Sequence, residues 1–151
     1  MRAPTHLIFA VVCFLIYSSY YDITQPILFI SIVLFMTLFV DIDEPDSKIG
    51  KFFSPIAHTI KWILGHRGLF HSLIPPLLLL LVCKFIGWNE IAVAAFLGYA
   101  AHLVADMLTP HGIYPLYPIP WRIRGPIRVG SFGEYMFAAM LLVVIAIKLL
   151  L

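Results

Sequence analysis

The chain has 151 residues, 62% of them hydrophobic and 12% charged, with a formal net charge of +2. A soluble domain runs nearer about half apolar and about a quarter charged, so there is too little polar surface here to coat a water-soluble globule. Composition therefore excludes an ordinary soluble enzyme, a disordered tail and a disulfide scaffold, and points to an integral membrane protein with one domain, residues 1–151. The small net charge and the lack of a basic run argue against a nucleic-acid partner.

In chain order, Met1-Arg2 and the apolar run behind it resemble the start of a signal peptide. The exit, Tyr17-Ser18-Ser19-Tyr20-Tyr21, lacks a small-x-small cleavage site, so the segment reads as a retained first helix. A spanning helix needs ~17–25 mostly apolar residues. Five segments qualify, at about 4–21, 24–41, 71–88, 89–108 and 134–151. Pro75 and Pro76 fall in the first turn of the third, where a missing donor costs least. The expected fold is an all-α membrane bundle of about five transmembrane helices. Cys13 and Cys83 lie inside apolar runs and read as small buried hydrophobes.

Two longer loops join these segments. In residues 42–70, Ile56, Ile60, Ile63 and Leu64 recur at helical spacing with Lys61 opposite, which suits an interfacial helix. His58 in that stretch reads as an interfacial residue and not a ligand. Residues 109–133 carry Pro110, Pro115, Pro118, Pro120 and Pro126, which forbid a long helix. An ordered irregular loop is expected there, with Trp121 and the tyrosines at headgroup depth. Eight of the ten lysines and arginines fall on the side of the N-terminus. The positive-inside rule makes that side cytoplasmic.

Threading five spans gathers the polar residues on one face. His6 opens the first helix and Asp41 and Asp43 close the second. His66 and His71 precede and open the third, His102 and Asp106 close the fourth, His111 follows, and Glu134 opens the fifth. Ionisable groups at membrane depth are normally paired, metal-bound or functional. His102 and Asp106 are four apart on one helix face and can chelate together. Imidazole suits zinc, iron or copper, and carboxylate widens the choice. Each signal has a plainer reading. The acids from Asp41 to Asp46 can be a solvated loop balancing Lys48 and Lys51. His102 with Asp106 can be a structural hydrogen bond, and His66-Arg67-Gly68 a surface turn. Their coincidence on one face favours a metal centre. Arg122, Arg124 and Arg128 most simply set orientation and touch anionic lipid, with a hold on substrate phosphate as the alternative.

The strings Asp41-Ile42-Asp43-Glu44-Pro45-Asp46-Ser47, His66-Arg67-Gly68-Leu69-Phe70-His71-Ser72, Gly98-Tyr99-Ala100-Ala101-His102 through Asp106 with Thr109-Pro110-His111-Gly112, and Gly130-Ser131-Phe132-Gly133-Glu134 resemble, in order, the boxes of the YdjM-type family. Thr5-His6 matches its opening. That family is described as membrane-bound metal-dependent hydrolases. More distantly, His102-x3-Asp106 followed by Pro110-His111 is similar to a pattern of zinc-dependent phospholipase C and P1-type nucleases, which cleave phosphoesters. This chain departs from that pattern in lacking the N-terminal tryptophan and the late H-x3-E, since Gly130 stands four before Glu134.

The resemblance implies a membrane-bound metal-dependent hydrolase acting on a phosphoester; charge counting puts its site at the cytoplasmic face of the cell membrane, and a site at headgroup depth suits a lipid-linked substrate. The resemblance also implies one or two divalent ions, zinc first, with manganese or iron as alternatives. The core ligands would be His71, His102, Asp106 and Glu134, completed by Asp41, His66, His6 and His111. Asp43 would be general base or orienter, and Arg67 or the arginines of the 122–128 loop would face phosphate oxygens. The rivals are a membrane di-iron oxidase, a metal transporter and a non-catalytic membrane protein stapled by metal.

Overall fold

The computed structural model describes residues 1–45, 47–52, 54–55, 58, 62 and 68–150. The first helix, α1, spans Ala3–Ser18 with a proline in its first turn. Helix α2 runs Pro26–Phe39 and tightens into a 3-10 turn over Val40–Asp43. A short helix, α3, covers Lys48–Phe52, and a second 3-10 turn covers Leu69–His71. Helices α4 (Ile74–Phe85), α5 (Asn89–Met107) and α6 (Phe132–Leu150) complete the chain. The described residues hold no strand, and a single antiparallel bridge joins Ile113 to Ile123.

Among the described residues the fold is all-helical, as the apolar runs predict, but the lengths refine the expectation of five spans. Among the described residues, three segments are long and apolar enough to cross a bilayer, namely Pro26–Asp43, Asn89–Met107 and Phe132–Leu150. Helices α1 and α4 are apolar but shorter. Serines and tyrosines end α1 at Ser18, and α4 starts only at Ile74 because the 3-10 turn occupies the residues before it. Of the proposed interfacial helix around 56–64, only His58 and Trp62 are described; both are helical and exposed. The ring of His58 meets the Ser54 carbonyl at 2.8 Å.

Helix α5 is the central element and packs against α1, α2 and α4, while α6 lies along α1. Its buried face is built from Ala92, Ala94, Ala95, Gly98, Ala101 and Ala105, which let neighbours approach closely. A Cβ at Gly98 would run into the Val33 carbonyl of α2, so only glycine permits this crossing. The opposite surfaces are apolar and bare. Met136, Met140, Val143 and Ile147 of α6 are all more than half exposed. An apolar face of that extent belongs against lipid acyl chains, not water.

Residues 109–131 fold back over the end of α5, as the proline pattern predicts. Gly125 donates to the Thr109 carbonyl and Ile127 to the Leu108 carbonyl, both at 3.0 Å. Leu73 N–H donates to the Pro115 carbonyl at 2.9 Å, which ties the loop to the start of α4.

Candidate metal centre

The alternation of helices brings the start of α1, the end of α2, the turn before α4 and the end of α5 to one end of the bundle. His6, Asp43, His71, His102 and Asp106 are buried there, each 2% exposed or less. Asp41 is partly open, its side chain 29% exposed. It is the donor through which solvent can reach the cluster.

Local structure explains how each group is aimed. His102 Nδ1 lies 2.7 Å from the Thr37 carbonyl. A carbonyl only accepts, so Nδ1 carries the proton and Nε2 presents its lone pair to the cluster. Thr37 is itself fixed, because its hydroxyl reaches the carbonyls of Val33 and Gly98 at 2.8 and 3.0 Å. The close crossing at Gly98 therefore sets the position of His102. The His6 ring stacks on His102 at 4.0 Å, nearly parallel. His71 sits on a turn that Tyr99 holds by donating its hydroxyl to the Phe70 carbonyl at 2.6 Å.

The Asp-x-Asp segment is a bent helix end. Ser47 donates to the Asp41 carbonyl and accepts from Gly50 N–H, both at 2.8 Å. This turn places Asp41 and Asp43 on two sides of His71. Asp43 Oδ2 lies 3.3 Å from His71 Nδ1, and Asp41 Oδ1 lies 3.6 Å from His71 Nε2. Asp43 thus stands behind the ring, where an orienting carboxylate belongs. Burial alone would lower the His71 pKa. The carboxylates of Asp41 and Asp43 outweigh it and raise the pKa to about 9, so this position favours a positive charge.

Asp106 faces two donor sets with its two oxygens. Oδ1 is 3.4 Å from His6 Nε2 and 2.8 Å from the Met1 amino group. Oδ2 is 3.7 Å from His71 Nε2 and 3.8 Å from His102 Nε2. His102 Nε2 is also 3.5 Å from Asp41 Oδ1. The Met1 contact is a hydrogen bond, whereas the four imidazole–carboxylate separations exceed the ~2.7–3.2 Å of one. Two ligands each ~2.0–2.2 Å from one tetrahedral ion stand about 3.4 Å apart. His102 Nε2 is buried with no hydrogen-bond partner. Two triads satisfy the spacing, His6 with His102 and Asp106, and Asp41 with His71 and His102. Buried carboxylates also call for a compensating cation. The residues present thus fit a divalent metal by spacing, by donor chemistry and by charge.

Of the other expected site residues, His66 and Arg67 lie outside the described residues. The His111 residue is exposed, and its carbonyl accepts from Arg122, whose guanidinium also stacks over Tyr114. The turn after Thr109 carries His111 outward, away from the end of α5. Glu134 is buried but otherwise engaged. Its Oε1 accepts from Arg2 N–H at 2.6 Å and the Thr5 hydroxyl at 3.0 Å, and its Oε2 accepts from Gly130 N–H at 2.6 Å. It clamps the start of α1, and with it His6, onto the start of α6. Thr5 and Tyr99 enter the sequence reading only as members of the family boxes, with no role attached, and Thr37 does not enter it. A lone threonine in the apolar run of α2 was the one available signal for Thr37.

The arrangement can be compared with known proteins. A family model described as the YdjM inner membrane protein matches residues 1–150. The chain is 35% identical over 147 residues to inner membrane protein YdjM of Escherichia coli, covering 89% of this chain and 74% of that one. The protein of the same name from Shigella flexneri matches to the same extent. Identity is 31% over 125 residues to a Bacillus subtilis protein named uncharacterized protein YvsG, covering 81% and 78% of the two chains. No solved structure matches. With a match along nearly its whole length, the chain belongs to the YdjM family of inner membrane proteins.

Proposed function

We propose that the protein is a metal-dependent hydrolase of the membrane, with its site at the cytoplasmic face and a phosphoester as substrate. The observation that supports this reading is the spacing of Asp41, His71, His102, Asp106 and His6. Five nitrogen–oxygen separations of 3.4–3.8 Å are too long for hydrogen bonds and fit shared coordination.

A divalent ion held by these residues would supply Lewis acidity and a water acidified toward neutrality. The chain's own residues have separate tasks. Thr37 holds the His102 tautomer, and Asp43 orients His71. The apolar packing of α2 and α5 keeps bulk water from the donors. Asp41, the open donor, is the point of entry for substrate and the first place where a proton can be exchanged with solvent.

The test is metal content of the detergent-purified protein by inductively coupled plasma mass spectrometry, followed by a screen of phosphoester substrates. One or two ions of zinc or manganese per chain, and turnover lost in Asp41→Asn, are the expected results. Two irons would favour an oxidase. Metal without turnover on any phosphoester would favour a metal-stapled structural protein, a reading that the near-complete burial of the other donors also supports. A preparation that holds no metal and takes up none would overturn the proposal.

A further inference from the structure

The loop after α5 carries Arg122, Arg124 and Arg128, and these arginines are not equivalent. Arg122 is spent on the His111 carbonyl and the Tyr114 ring. Arg2, nearby, is spent on the hydroxyl and ring of Tyr135. Arg124 and Arg128 are exposed, and no carboxylate among the described residues pairs with either. Together with Pro110, Gly125 and Pro126 they line an open, shallow cleft.

The backbone of the cleft is fixed by hydrogen bonds. Ile123 is fixed by two bonds of 3.0 Å to Ile113, while Gly125 and Ile127 are fixed on Thr109 and Leu108. A Cβ at Gly125 would come within 2.6 Å of the Leu108 carbonyl, so only glycine lets the loop lie this close to α5. The main chain between the two arginines is thereby pinned to the helix end, and both side chains are left to face outward. Two guanidinium groups with no acid between them suit a phosphate oxyanion, for which the planar donor fork is well matched.

The surroundings decide what carries that phosphate. Leu116, Ile119, Trp121, Val129 and Phe132 are exposed on the same loop and at the adjoining start of α6. Apolar and aromatic side chains beside free arginines are the signature of the lipid headgroup layer. We infer that Arg124 and Arg128 form a binding site for the phosphate of an anionic phospholipid, seated on the C-terminal end of α5. The site holds a lipid of the surrounding bilayer whether or not that lipid is hydrolysed.

The experiment is native mass spectrometry of the full chain in detergent, titrated with dioctanoyl phosphatidylglycerol. Dioctanoyl phosphatidylcholine and inorganic phosphate serve as comparison ligands. The wild type is expected to bind phosphatidylglycerol most tightly. Arg124→Gln with Arg128→Gln is expected to weaken that binding about 30-fold, from two arginine–headgroup contacts. Lys84→Gln, at the other end of the bundle, should bind as wild type. If the double variant does not elute as a single species, the two single variants carry the test, each expected to weaken binding about fivefold. Unchanged binding in the folded variants would overturn the inference. Inorganic phosphate or phosphatidylcholine binding as tightly as phosphatidylglycerol would overturn it too, showing a free-anion site or a non-selective lipid surface. Metal content measured on the same samples separates this result from the fate of the hydrolase proposal.

Discussion

Asp106 joins the two halves of the cluster, with His6 and the Met1 amino group on one oxygen and His71 and His102 on the other. Asp106→Ala should therefore lose most of the bound metal, more than Asp43→Asn, which removes an orienting group. Elemental analysis of the two purified variants would check the order. Glu134 gives the opposite expectation. Its oxygens are taken up by Arg2, Thr5 and Gly130, so Glu134→Gln should keep the wild-type metal content. It should still destabilise the fold by about 1–3 kcal/mol, because an amide cannot accept all three bonds. Thermal unfolding in detergent, read beside elemental analysis, would test both parts. Loss of metal in Glu134→Gln would place that carboxylate among the ligands. Residue identity made Glu134 look like a donor equal to Asp106. Only the hydrogen-bond partners distinguish them.

The α2–α5 pair does more than fill the bundle. The chain of contacts from Gly98 to Thr37 to His102 converts a close helix crossing into the orientation of an imidazole. Gly98→Val would force the helices apart or strain the Val33 carbonyl, at a cost of about 1–3 kcal/mol. Metal affinity should fall with it, although Gly98 touches no donor. A lower melting temperature with unchanged metal affinity would show that His102 is positioned independently of the crossing. The helices themselves were legible in the hydropathy pattern, with boundaries a few residues too generous for the first and third segments. Patterning marks where apolar residues stop. It does not register that the backbone before Ile74 turns as a 3-10 segment stabilised by Tyr99 and Ser72.

At the level of the whole molecule, the cluster end holds Met1, Glu134 and the loop with Trp121, while Ser19 and Lys148 meet at the other end. Labelling with a membrane-impermeant maleimide should separate these ends. In a chain with Cys13 and Cys83 replaced by alanine, Ser19→Cys should label from outside the cell and Trp121→Cys only after lysis. The reverse pattern would put the site on the outer face and overturn the reading from lysine and arginine counts.

Composition determined that this is a membrane protein, because so few polar residues cannot face water, and the long uncharged apolar runs determined that it is helical, because in lipid each such run must pair its own backbone. The spacing of polar residues between apolar runs also determined that His6, Asp41, Asp43, His71, His102 and Asp106 would share one end, since each crossing reverses the chain. The distances between them came from tertiary structure. So did the division of labour among groups of the same chemistry, in which Asp106 joins, Asp43 orients, Glu134 clamps and His111 faces out. The reason is physical. A side chain's chemistry is local, but the partner that claims its lone pairs arrives from a distant part of the chain.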